Sequence, residues 1–360
     1  MDIIRKALAE PKLQSDLEVL KIIKDSELPI VLWGAAKLAK FIIRILEKND
    51  IKINAVFIDK PNQNQFLGDI KVVSFDEICS RFNKFNILIA HGEHELSSIY
   101  KGHSQVENIL TIFDFPSHGF SYNDNFLIHN SSIFNELFHS LSDKLSKDSF
   151  EAYVTSRASN NWRLIHPFIV GNQYFMDAID LTKNEIVVDC GAYTGDTLMD
   201  FIRISNGNFE KYYALEPSPN NAKILEEIVV QNKFSNIQIV RKAAWDKQEY
   251  FSFEEDTDTS HMNLNNSSDN NILVETDLID NIVLSKASFI KMDIEGAELM
   301  ALKGAANTIR SNKPKLAIAI YHKTEDLITI PAFIKELRPD YKFYFRLHTK
   351  LGSDAVIYAI

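Results

Sequence analysis

Residues 185–197, EIVVDCGAYTGDT, constrain the fold of this chain more than any other stretch. Residues 185–189 form a short valine-rich run, the signature of a strand covered on both faces within a parallel sheet. The run breaks sharply. Gly191 and Gly195 permit a tight turn and close backbone approach to a ligand, and Asp196 and Thr197 suit the first turn of a helix over TLMDFIRI. A loop outside the carboxyl end of a sheet strand is where doubly wound α/β folds bind nucleotides.

The spacing narrows the choice of nucleotide. A dinucleotide fingerprint needs Gly-x-Gly-x-x-Gly so that bare backbone can press against a pyrophosphate, and the middle glycine is absent here. Asp189, just before the turn, is expected to bring a carboxylate close to the ligand, which disfavours phosphate and favours a cation. S-adenosylmethionine meets that requirement, with no phosphate, a sulfonium and an ammonium group. Downstream, KYYALEPSPNN supplies a second strand over residues 212–215, and Glu216 at its end is placed to take both ribose hydroxyls. The plainer alternative for Glu216 is a solvated carboxylate ahead of Pro217, Ser218 and Pro219.

A chain of 360 residues, 45% of them hydrophobic, is large enough for two or three domains with real cores. The formal charge of −10 and the scattered basic residues argue against a nucleic-acid surface. Two cysteines, Cys79 and Cys190, are too few for a disulfide framework or a cysteine zinc site, which points to a reducing compartment. Residues 1–20 are charged throughout without an apolar core, and no window approaches a membrane span, so a cytoplasmic location is expected.

Residues 2–24 have apolar positions at helical spacing interrupted at Pro11, predicting two amphipathic helices. Strands over 29–33, INAVFID and NILIAHG then alternate with a helix over GAAKLAKFIIRILEKN, in the manner of a Rossmann-like α/β domain over residues 1–118. Gly34, Ala36 and Ala39 stand where a dinucleotide fingerprint has its glycines, and Asp59 ends the next strand like a ribose-binding acid. Ala36 puts a Cβ where pyrophosphate needs bare backbone, so NAD is disfavoured against an empty, repurposed or sugar-nucleotide-binding domain. His91, Glu93 and His94 read as loop polar residues rather than a metal cluster. Residues 119–180 form an aromatic-studded helical connector, in which Gln173, Tyr174 and Phe175 are candidates for substrate contact; aromatic packing is the plain alternative.

The third region, residues 181–360, continues with a helix over AKILEEIVVQN, a strand over IQIVRKAAW, an edge segment QEYFSFEE and a polar loop. Ala243, Ala244 and Trp245 are candidates to flank an adenine, or to fill the core. SFIKMDIEGAELMALKGA places Asp293 at a strand's carboxyl end, in the same crevice as Gly191, with Glu295 just beyond and Lys291 set to pair with Asp293. PKLAIAIYH delivers Tyr321 and His322 to the end of the next strand, where an imidazole suits proton transfer. YKFYFRLH, the turn TKLGSD and AVIYAI close the region with a β-hairpin.

VDCGAYTGDT, ALEPSPNN, KAAWD, IKMDIEGAE and IYHKTEDL, in this order, resemble the FkbM family of S-adenosylmethionine-dependent methyltransferases. The resemblance covers residues 181–360 and implies a class I methyltransferase fold, a mostly parallel sheet ending in an antiparallel hairpin. By that resemblance Asp189, Gly191, Gly195, Asp196 and Glu216 map to cofactor binding, with Asp293 and Glu295 in the family's post-strand acidic motif. The placement of residues at the loop and strand ends adds Ala192, Tyr193, Thr197, Pro217, Ala244, Trp245 and Asp293 as cofactor candidates, His322 and Asp293 as catalytic candidates, and Tyr174, Glu295 and Tyr321 as substrate candidates. O-methylation of a sugar or glycan-related hydroxyl follows as the expected activity, on a small-molecule or glycan acceptor, with a homo-oligomer left open. The resemblance leaves metal use open: Asp293 with His322 offers coordination, but no close-spaced ligand set enforces a metal, and none is assigned. The competing readings are an NAD(P)-dependent sugar oxidoreductase using residues 34–59 and a non-catalytic sugar-nucleotide-binding module.

Overall fold

The computed structural model describes residues 2–12, 16–90, 99–112, 122–177, 179–254, 261–262, 271–349 and 354–360. The chain divides into two compact units, one of Met1–Glu10, Tyr122–Ala158 and Trp162–Ile360, the other of Pro11–Ser121 with Ser159–Asn161.

Helix α1 (Ile3–Ala9) starts at an Asp2 cap whose carboxylate accepts from the amides of Ile4 and Arg5. It belongs to the first unit, where the amide of Ile3 donates to Asn135 Oδ1 at 3.1 Å. The second unit runs α2 (Asp16–Asp25), β1 (Ile30–Trp33), α3 (Lys37–Lys48), β2 (Ala55–Phe57), β3 (Phe66–Leu67), β4 (Ile70–Val73), α4 (Phe75–Arg81), β5 (Phe85–Ile89) and β6 (Val106–Thr111). Its sheet has the order β3-β4-β2-β1-β5-β6, parallel apart from the short edge strand β3. Strand alternation loads both faces: Ile30 and Leu32 pack with Ile42 and Leu46, whereas Val31 and Trp33 pack with Phe57 and Ile78. This is a Rossmann-like sheet, as the alternation of segments predicts; β3, β4 and β6 are too short or too polar to have been anticipated. Gly34, directly after β1, has φ 128°, and a Cβ there would lie 2.5 Å from the carbonyl oxygen of Ala90. Asp59 accepts a hydrogen bond from the Tyr100 hydroxyl at 2.9 Å. His91, Glu93 and His94 lie outside the described residues.

The first unit continues with α5 (Asp124–His129), α6 (Ser131–Ser140), α7 (Lys144–Ser159) and a 3-10 helix (Trp162–Phe168). Then come β7 (Ile186–Cys190), α8 (Asp196–Ser205), β8 (Lys211–Leu215), α9 (Pro219–Gln231), β9 (Ile237–Val240), β10 (Ala243–Ala244), β11 (Tyr250–Glu254), β12 (His261–Met262), β13 (Asn271–Asp277), α10 (Ile279–Ile282), β14 (Phe289–Met292), α11 (Glu298–Gly304), α12 (Ala306–Asn312), β15 (Lys315–Ala319), α13 (Asp326–Leu337), β16 (Phe343–Leu347) and β17 (Ala355–Ala359). The main sheet has the order β16-β17-β15-β14-β7-β8-β9. Strands β15, β14, β7, β8 and β9 are parallel, while β17 runs antiparallel between β15 and β16, giving the expected terminal hairpin.

One expected strand is divided. The segment IQIVRKAAW leaves the main sheet after Val240, and Ala243–Ala244 pair instead with β13 in a separate sheet of order β10-β13-β11-β12. The helices that sequence assigns to a connector are tied to the hairpin: the Ser142 amide donates to the Phe343 carbonyl at 2.8 Å, and Arg346 pairs with Asp143 at 2.6 Å. No helix among the described residues is long and apolar enough to cross a membrane.

Candidate functional site

Four adjacent parallel strands, β15, β14, β7 and β8, end on the same side of the main sheet, and each delivers polar residues there. After β7, Gly191 has φ 80°, and a Cβ on it would lie 2.0 Å from the carbonyl oxygen of Asp293. Only a glycine lets the loops after β7 and β14 touch in this way. Gly195 caps α8 in the left-handed region, and exposed Asp196 accepts from the Thr197 amide at 2.8 Å.

After β8 comes Glu216, 5% exposed. Its Oε2 accepts from the Tyr193 amide at 2.8 Å and its Oε1 from the Ser218 amide at 2.9 Å, so the carboxylate is fixed in orientation. Burial pushes its carboxyl up to about 7, against these amide donors. Tyr193, with φ 48°, is exposed beside it, and Pro217 is half-buried.

After β14 and β15, Asp293, Glu295, Tyr321 and His322 come together. Tyr174 and Tyr321 donate to the two oxygens of Asp293, at 2.5 and 3.0 Å. Burial opposes the charge on Asp293, but His322, Lys291 and the two phenols hold its carboxyl below the ordinary range. His322 Nε2 lies 3.4 Å from both Asp293 Oδ1 and Glu295 Oε2, and its Nδ1 lies 3.0 Å from Glu298 Oε1. Burial opposes protonation of this imidazole, yet the surrounding carboxylates, led by Glu298, raise it to about 10. Two backbone features permit the arrangement. Glu295 occupies the left-handed region at φ 56°, and Gly296 leaves room for the segment after β15: a Cβ there would lie 2.9 Å from Lys323 Cε. Asp354, in the hairpin, is raised to about 7 by burial and by Asp293.

Several of the expected site residues are covered by the fold. Asp189 is wholly buried, ion-paired to Lys291 at 2.9 Å and hydrogen-bonded by the Tyr212 hydroxyl at 2.7 Å. The parallel register sets Lys291 directly opposite Asp189, so its partner is across the sheet rather than two residues along. Ala192 is also fully buried, within the apolar core under the sheet, and Thr197 is covered in α8. Tyr174, 6% exposed, belongs to the same core and positions Asp293 through its hydroxyl rather than lining an open surface. Ala244 is buried in the second sheet, and Trp245 stacks edge-on to Phe251 at 5.3 Å.

Two groups escaped the sequence reading. Asp246, beside Trp245, has a buried Oδ1 without a hydrogen-bond partner among the described residues, and Trp245 Nε1 is buried and unsatisfied in the same way. Such orphaned atoms are uncommon in folded proteins unless a ligand or water completes them. Glu298, fully buried in the first turn of α11, reaches back to accept from the Ile294 amide at 2.8 Å. The spacing of the two glutamates in IEGAE was the available signal for Glu298.

The model of the methyltransferase FkbM domain matches residues 189–343. The crystal structure of methyltransferase FkbM from Methylobacillus flagellatus is similar in fold at a TM-score of 0.75 and 22% identity, covering 99% of this chain and 97% of that one. A ribosomal RNA methylase from Streptococcus thermophilus covers 50% of this chain and 87% of its own at 12% identity and a TM-score of 0.34. The fibrillarin of Aeropyrum pernix, solved with S-adenosylmethionine, covers 51% of this chain and 70% of its own at 15% identity and a TM-score of 0.33. No curated protein matches the chain significantly. Residues 189–343 are an FkbM methyltransferase domain, carried on a chain that shares the fold of an FkbM methyltransferase over almost its whole length.

Proposed function

We propose that this chain is an S-adenosylmethionine-dependent O-methyltransferase whose acceptor is a hydroxyl of a sugar or glycan-related molecule. The observation that carries the reading is the row of four strand ends, with fixed Glu216 at one end and the Asp293 cluster two strands away. At the spacing of neighbouring strands these lie about 10 Å apart, the length of a nucleoside with a short side chain.

The chemistry of the donor set fits S-adenosylmethionine, which when bound supplies an electrophilic methyl group. Glu216 accepts the ribose hydroxyls on the lone pairs its amide donors leave open. The Gly191 turn presents backbone without a side chain, and Asp246 and Trp245 offer an unfilled acceptor and donor to the adenine edge. Asp293, held by Tyr174 and Tyr321, would orient the acceptor hydroxyl and take its proton as the methyl passes from sulfur to oxygen, the sulfur–carbon bond breaking to leave S-adenosylhomocysteine. His322 Nε2 faces Asp293 from 3.4 Å. The half-buried Tyr321 and Asp354 and the exposed Glu295 give the mouth of the crevice the mixed donors and acceptors that a polyol needs.

The test is calorimetric titration with S-adenosylmethionine, S-adenosylhomocysteine and NADH, followed by mass spectrometry of a glycan and monosaccharide panel for an added methyl. Saturable binding of both sulfur compounds, with methylation of a hydroxyl, supports the reading. Binding of NADH alone overturns it in favour of an oxidoreductase.

A further inference from the structure

The sequence assigns no metal, but the cluster around His322 has the form of a cation site. We propose that Asp293, Glu295 and His322 hold one divalent cation, with Glu298 orienting the imidazole from behind. The ion's part in methyl transfer rests on the function proposed above; its binding does not.

The first observation is an unsatisfied buried nitrogen. His322 is 6% exposed, and its Nε2 has no hydrogen-bond partner among the described residues although it points at two carboxylates. A buried ring nitrogen ordinarily finds a donor or acceptor. Here Asp293 Oδ1 and Glu295 Oε2 both stand 3.4 Å away, too far for good hydrogen bonds. That separation is the edge of a coordination polyhedron: ligand atoms about 2.1 Å from one ion lie roughly 3.0–3.4 Å from each other. Asp293 Oδ1 and Glu295 Oε2 thus stand at that edge distance from the same ring nitrogen.

The second observation is the support behind the ligands. Metal-bound histidines usually present their other nitrogen to a carboxylate, which fixes the ring and makes it a better ligand. Glu298 Oε1 lies 3.0 Å from Nδ1, and its own position is set by the Ile294 amide. Tyr321 and Tyr174 perform the same service for Asp293. Tyr174 engages Oδ2 of Asp293, Tyr321 shares its Oδ1, and Glu298 stands at Nδ1, so Nε2 is the ring nitrogen turned to Asp293 Oδ1 and Glu295 Oε2.

The third observation is the choice of donors. One imidazole and two carboxylates suit Mn2+ or Mg2+, with Zn2+ also accepted, and no thiolate is present to select a softer ion. An ion so placed sits at the carboxyl end of β14, beside the proposed acceptor position, where it can bind and polarise a hydroxyl.

MnCl2 is the probe, titrated into the chelator-treated full chain and followed by calorimetry and electron paramagnetic resonance. One Mn2+ per chain is expected, with binding weakened at least tenfold in E295Q and in H322N and about 10- to 100-fold in E298Q. Glu295 is exposed, so E295Q stays informative if H322N does not fold, and circular dichroism establishes which variants are native. Absence of Mn2+ binding at millimolar concentration, or equal affinity in native E295Q, overturns the proposal. A parallel titration of the metal-free chain with S-adenosylmethionine separates the two readings. Cofactor binding without Mn2+ binding removes only the ion, and Mn2+ binding without cofactor binding removes only the methyl-transfer reading.

Discussion

Lys291 and Asp189 face each other in register on adjacent parallel strands, both essentially inaccessible to water, with their charged atoms 2.9 Å apart. Burial works against the ammonium, but Asp189 and Asp293 hold it above the ordinary lysine value, and the Gly191 carbonyl accepts from it at 2.8 Å. The pair therefore anchors the floor of the crevice from inside the sheet.

Removing one partner leaves an uncompensated buried charge, so K291M is expected to lose about 3–5 kcal/mol of stability. The double variant D189L/K291M is expected to recover most of that loss. Denaturant unfolding of the two variants checks this, and equal stabilities would show that the charges are not coupled.

Glu216 gives stability and binding opposite pH dependences. Its folded value, about 7, lies above its unfolded one, so the stability it contributes is full below about pH 4 and is lost as pH rises through 7. Cofactor affinity should instead rise through the same window as the carboxyl ionises. E216Q is expected to flatten both dependences and to weaken S-adenosylmethionine binding about tenfold or more. Melting temperature and calorimetry between pH 5 and 8 read the two trends separately.

G191A places a Cβ against the Asp293 carbonyl in a backbone conformation that non-glycine residues rarely adopt. A loss of about 1–3 kcal/mol is expected, with weaker cofactor binding because the two loops are forced apart. A variant with wild-type stability and affinity would show that the loops do not need this close approach.

Y174F keeps the buried ring and deletes the hydroxyl that donates to Asp293. Turnover is expected to fall about tenfold or more, as for loss of a hydrogen bond to a charged group, with cofactor affinity unchanged. Steady-state kinetics beside a binding titration distinguishes this from a packing role, which would leave turnover intact.

The strand, glycine turn and helix of residues 185–205 were legible because burial, a break and a cap follow one another within a few residues. The positions of Glu216, Asp293 and His322 were legible for the same reason, each standing at the end of an apolar run. The partner of Lys291 was not, because parallel register depends on strands more than a hundred residues apart, and sequence proximity favoured Asp293. The burial of Tyr174 was not legible, because its irregular segment gives no period from which to read an inward face. The change of sheet between Val240 and Ala243 was hidden because apolar residues continue across it. Glu298 and Asp354 acquire meaning only once α11 and the hairpin bring them toward His322 and Asp293.

Strand β16 hydrogen-bonds within the main sheet to β17 alone, and β17 is wedged between it and β15. Although β16 precedes β17 in the chain, its place in the main sheet is made by the later strand, while Leu141 and Ile169 bridge to it from outside that sheet. A cut ahead of Ala355 would strand β16 and strip β15 bare, turning the most deeply covered flank of the sheet into a sticky rim open to other chains.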